Sequence, residues 1–117
     1  MPNLYNLTTP EQHVRFAILV AKEVYNDLAW DAWADRWLSG TDRSEAAVAK
    51  ATWTAGAAWM AAWARSMAWA AEVAMRAALA AATPGYAALE AALAAKRAKQ
   101  IDSEIDLVVL AERARTP

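Results

Sequence analysis

The sequence predicts an all-α fold: a single domain built as an elongated antiparallel bundle of three long, alanine-rich helices carrying a tryptophan cluster. Three observations predict it. Helix-start signatures stand at Thr9-Pro10-Glu11-Gln12 and at Asp42-Arg43-Ser44-Glu45. After each of them apolar residues recur at the three-to-four spacing of a helical face. Strong punctuation falls at Ser39-Gly40 and at Thr83-Pro84-Gly85, and no run alternates as a strand would.

The first helix is expected over about 10–39. Thr9 can cap it, Pro10 suits the first helical position, where an N–H has no partner anyway, and Gln12 stands where a capping box places Glu or Gln. Val14, Ile18, Ala21, Tyr25 and Leu28 form its apolar stripe, which Trp30, Trp33 and Trp37 prolong. Asn26-Asp27 are mediocre helix formers and mark a place for a kink or short break. Gly40 is free to take the left-handed conformation that ends a helix.

The second helix is expected over about 43–82, opening on the second capping box. Some ~40 residues would reach ~60 Å, against a radius of gyration of about 13 Å for a compact chain of this length. The bundle is therefore elongated, or this helix kinks at Gly56, its one weak residue. Trp53, Met60 and Met67 recur every seven residues, and Gly56, Trp63, Ala70 and Ala77 do the same at an offset of three. That is an a/d seam with small residues admitting a close neighbour. A helix apolar nearly all round is buried on more than one side. Two partner helices do not cover it, so a homo-oligomer is expected. The third helix, over about 85–114, carries Leu89 and Leu93 on one face and Ile101, Ile105 and Val108 on another.

Composition excludes several function classes. Twelve basic residues against thirteen acidic ones leave a net charge of −1, without the basic excess that a nucleic-acid polymer binder needs. There is no cysteine, hence no disulfide, thiol nucleophile or Cys-based zinc site. The apolar fraction is mostly alanine, 33 of 68 residues, which supplies helix propensity more than core volume. The uncharged run Ala51–Ala64 is 14 residues long, short of the ~18–20 that cross a bilayer, so no membrane association is expected. Residues 1–10 show no basic and apolar leader pattern, which makes the cytoplasm the expected compartment.

Candidate chemistry is sparse. Glu23, Asp27, Asp31 and Asp35 stand four apart, either as a cation stripe or as a solvated face paired with Lys96, Arg97 and Lys99. No Glu-x-x-His spacing accompanies them, which favours the solvated face. His13 is the only histidine and has no nucleophile at a readable spacing. Gly40, Gly56 and Gly85 are isolated, so no phosphate loop is present. Asp102, Glu104 and Asp106 do not converge on one helical face. An enzyme, a resident metal and a cofactor are not expected.

The tryptophans are the sharp feature. Trp30, Trp33 and Trp37 line one stripe, and Trp53, Trp59, Trp63 and Trp69 occupy the next helix. Packing between alanines accounts for some of them. A subset can instead stack a planar ligand, with arginines for its phosphates. On that reading the ligand-binding residues are Trp59, Trp63 and Trp69 with Arg65 and Arg76, which flank Trp69.

The segment WADRWLSGTDRSEAAVAKATWTAGAAWMAAWA over 33–64, and KRAKQIDSEIDLVVLAERA over 96–114, resemble the alanine-rich helical proteins of phages and actinobacteria labelled immunity proteins. The shared features are a helix closing in W-L-x-G, a D-R-x-E-A restart, and an alanine run with interspersed tryptophan. The first helix is short against that pattern. The resemblance implies a binder that neutralises something in a host cytoplasm. The preferred form is an anti-defence protein that sequesters a small nucleotide-like immune signal. The alternatives are an immunity-type protein that blocks a toxin protein, or a structural, self-assembling helical protein.

Overall fold

In a computed structural model, which describes residues 5–116, the chain forms six α-helices and, among the described residues, no strand. They are α1 (Pro10–Val24), α2 (Leu28–Ser39), α3 (Glu45–Ala61), α4 (Arg65–Ala82), α5 (Ala87–Ile101) and α6 (Leu107–Arg115), with a 3-10 turn at Pro84–Tyr86 before α5. The start of α1 follows its signature. Thr9 accepts from the Gln12 N–H, and Gln12 Oε1 reaches back to the Thr8 N–H at 2.7 Å. At the second start Ser44, rather than Asp42, is the cap and accepts from the Ala47 N–H. Gly40 ends α2 with φ +79°, while the Thr41 N–H closes onto the Arg36 carbonyl at 2.9 Å.

The expected three long helices are thus corrected: each is cut in two. The first breaks where Asn26-Asp27 allowed it. Tyr25 is extended, and Asp27 caps a new helix by accepting from the Trp30 N–H at 2.8 Å. The second breaks at Ala62–Ala64 and not at Gly56. Gly56 lies inside α3 against α4, where a Cβ would sit 3.6 Å from Met75 Sδ. No local signal breaks the Ala62–Ala64 stretch; Ala64 gives α4 no side-chain cap. The break lets α3 fold back along α4 and bury Val48, Ala51 and Ala55, a tertiary gain that overrides helix propensity. The third breaks at Asp102–Asp106. Asp102 accepts from the Glu104 N–H, Asp106 caps Val109, and the Lys99 ammonium donates to the Ile105 carbonyl.

Folding back also removes the elongation. The extents are 36 × 32 × 22 Å and the radius of gyration is 12.8 Å, the value of a compact chain of this length, about 13 Å. Helix α1 packs against α4, α5 and α6, and α4 packs against α3 and α5. The core holds few large side chains: Phe16, Ile18, Val20 and Val73 are the largest that are fully buried. Alanines fill much of the rest: Ala87, Ala91, Ala94 and Ala98 form a buried stripe on α5, and Ala74, Ala77 and Ala78 are buried on α4, which packs against it. Small residues at these contacts let helix axes approach closely, so dispersion between backbones replaces bulky interdigitation. The expected a/d seam is corrected as well. Ala77 is buried, but Trp53 and Met60 face outward on α3 and Trp63 faces outward within the Ala62–Ala64 break.

Candidate functional site

The tryptophans divide into two populations. Trp30, Trp33 and Trp37 on α2 are buried, whereas Trp53, Trp59 and Trp63 are exposed and Trp69 is half-buried. The buried set follows from the spacing of α2. Positions 30, 33 and 37 fall on one helical face, and this face turns to the core because Asp27 restarts the helix. Trp30 meets Tyr25 edge-on at 5.9 Å and Trp33 at 5.4 Å. Trp37 lies under the Arg43 guanidinium at 4.0 Å, and Arg43 also donates to the Trp37 carbonyl and pairs with Glu11. That arrangement fixes the turn between α2 and α3.

Between α2 and α3 the structure opens a cleft of about 400 Å³, at the lower end of the range for small-molecule sites. Ala29, Trp30, Ala32, Trp33 and Arg36 line it from α2, Ala47, Lys50, Ala51 and Thr54 from α3, and Asp42 from the connection. Trp30 and Trp33 are 2% and 3% exposed, and the indole Nε1 of each is buried without a hydrogen-bond partner. An indole nitrogen is a donor only, and a buried donor left unsatisfied costs about 1–3 kcal/mol. Both nitrogens are sealed from solvent, so the two tryptophans meet the cleft through their other atoms. Arg36 and Lys50 add positive charge, and among the described residues neither joins an ion pair. The Asp42 carboxyl lies below the usual carboxylate range because it accepts from the Ser44 N–H and hydroxyl, with Arg36 adding attraction. It is therefore ionised at neutral pH and available to accept. The cleft combines apolar methyl and indole walls, donors, two cations and one anionic acceptor.

The residues expected from the sequence to hold a ligand gather only in part. Arg65 and Trp69 meet, with the Arg65 guanidinium 5.8 Å from the ring. A residue the sequence did not single out for this role, Arg97 of α5, lies closer over the same ring at 4.7 Å and pairs with Glu72 at 3.3 Å. Arg76 stands two helical turns away, roughly 10 Å along α4, and is bound to Glu90 at 3.3 Å. Trp59 and Trp63 project outward from the end of α3 and from the break. The carboxylate stripe is divided as well. Asp27 caps α2, Asp35 pairs with Lys22 rather than with the α5 cations, and Glu23 is exposed. No group of candidate ligands for a metal ion occurs among the described residues. His13 hydrogen-bonds the Thr9 carbonyl at 2.9 Å, in the first turn of α1. Among the described residues no helix is long and apolar enough to cross a membrane.

Asp31 is the strained member of the stripe. Burial pushes its carboxyl above the usual range against the pull of Lys22, with Asp35 and Asp27 adding to the rise, and Oδ1 has no partner. An acid whose folded pKa is raised destabilises the fold when ionised, fully so above that raised value, and the penalty fades as pH falls through it. Asp31→Asn is therefore expected to raise the melting temperature at neutral pH, with the gain shrinking on acidification. Melting curves across that pH range check it; a loss of stability at neutral pH would contradict the assignment.

Compared with known proteins, the chain matches no family, no curated protein and no solved structure.

Proposed function

We propose that this chain is a non-enzymatic binding protein that holds a small, planar, anionic ligand of nucleotide type in the α2–α3 cleft. The observation that carries this reading is a cleft of about 400 Å³ that sets Trp30 and Trp33 beside the two cations Arg36 and Lys50. Phosphate or carboxylate oxygens would accept from Arg36 and Lys50, and charge-assisted hydrogen bonds are roughly twice as strong as neutral ones. The alanine methyls of both helices suit a flat apolar ring. Asp42 suits an amine edge. The lining contains no histidine and a single carboxylate, so the reading is of capture without turnover. Such capture fits the sequestering role implied by the resemblance to immunity proteins, with the site moved from α4 to the earlier tryptophans. A volume of about 400 Å³ suits one base with its phosphate better than a whole dinucleotide.

The test is calorimetry against mononucleotides, cyclic mononucleotides, cyclic dinucleotides and cyclic ADP-ribose isomers. At least one member is expected to bind. Arg36→Ala with Lys50→Ala should weaken binding by roughly tenfold or more, with helicity unchanged. Ala47→Trp, which fills the cleft from α3, should abolish it. Failure of every member to bind, or binding indifferent to these variants, overturns the reading.

A further inference from the structure

A second feature stands apart from the cleft. Trp53, Met60 and Trp63 are 79%, 85% and 86% exposed, with Trp59 and Met67 also exposed beside them. On α3, positions 53, 57 and 60 fall within one face, and Trp63 follows in the break. Trp59 points about 100° away from Met60 round α3; without it, the two indoles and two thioethers present roughly 600 Å² of apolar surface, taking ~250 Å² for a whole indole. The largest apolar patch of an ordinary monomer is about 300–600 Å². A stable interface takes about 800 Å² from each partner. The patch supplies about three quarters of that need, and the exposed Ala57 between Trp53 and Met60 adds to it.

We infer that this face joins two copies of the chain in a symmetric dimer, Trp63 and Trp53 of one protomer packing on Met60 and Met67 of the other. The chemistry of the patch selects this occupant. From Ala51 to Ala64 no side chain is charged, so the face offers nothing for a charged protein to complement. It is self-complementary in the sense a two-fold axis requires: the same flat aromatic and flexible thioether groups meet across the axis, and sulfur–aromatic contacts are favourable. A lipid surface is disfavoured because Arg65 is the one cation from 51 to 75, against the basic rim that interfacial helices carry.

The test is light scattering and sedimentation of the full chain across micromolar concentrations, with neutral lipid vesicles as a parallel flotation arm. A dimer mass is expected, without flotation. Met60→Glu with Trp63→Lys should give a monomer of unchanged helicity, and Trp63→Ala alone should weaken the dimer roughly thirtyfold or more, as for a central interface residue. Leu28→Lys, which alters an exposed apolar residue elsewhere, should leave the dimer intact. A wild-type monomer at every concentration, flotation of the monomer with vesicles, or a dimer that survives the Met60/Trp63 changes overturns the inference. Ligand binding in the cleft is measured separately on the monomeric variant, so the two proposals fail independently.

Discussion

Phe16→Ala is expected to lower the unfolding free energy by about 3–5 kcal/mol, the cost of deleting a buried aromatic ring. Phe16 is the chain's one phenylalanine. It is fully buried on α1, the helix that touches α4, α5 and α6, and its ring lies 5.0 Å from that of Tyr5. The buried positions of α5 are all alanine, and those of α4 are alanine except Val73; alanine has no side-chain rotamers with which to fill a void. The cavity therefore persists, and the cost sits high in the usual range. With total stability of about 5–15 kcal/mol for a domain, this one ring carries a large share, and the melting temperature should fall on the order of 15 °C. Thermal denaturation followed by circular dichroism measures it. A shift of only a degree or two would show that the α1 core is not packed as described. Trp63→Ala, which removes a larger but exposed ring, should leave the intrinsic stability of the monomer nearly unchanged.

The converse substitution tests the alanine contacts. Ala94 is fully buried in the middle of α5, the helix packed against both α1 and α4. Ala94→Leu inserts a branched side chain where two backbones lie close, and forced overpacking costs about 1–3 kcal/mol or more. Leucine and alanine differ little in helix propensity, so the loss would be a packing effect. Chemical denaturation should show a lower midpoint. An unchanged or raised midpoint would mean that the helices stand further apart than the alanine stripe implies. The same change at Ala92, which is exposed on α5, is the control and should be nearly neutral.

Much of the fold was legible because capping and punctuation are local. Thr9, Asp27, Gly40 and the Thr83-Pro84-Gly85 stop are short-range chemistry, and each bounds a helix where that chemistry places it. The break at Ala62–Ala64 was not legible, because Ala-Trp-Ala favours helix locally. What bends the chain there is burial of Ala51 and Ala55 against α4, an energy that exists only in the folded state. The seven-residue recurrence of Trp53, Met60 and Met67 therefore misled: it runs across a break, and its members face outward. The site was half legible. The Trp30/Trp33 stripe with Arg36 at the next turn is visible in the spacing. The cleft is not, since it depends on how α2 leans over α3. Likewise nothing local announces that Arg97 reaches Trp69, 28 positions earlier in the chain.

The most direct measurement of the central claim is the indole N–H region of a nitrogen-15 correlation spectrum during titration with the tightest-binding nucleotide. The chain has seven indoles, and single Trp→Phe variants assign their signals. If the ligand seats against Trp30 and Trp33, their two N–H resonances move on binding, because the charge and ring current of a planar anion reach these indoles. The resonances of Trp53 and Trp63 stay in place. Movement confined to Trp59, Trp63 or Trp69, with Trp30 and Trp33 unmoved, would contradict the account and return the binding site to the tryptophans at the end of α3 and the start of α4.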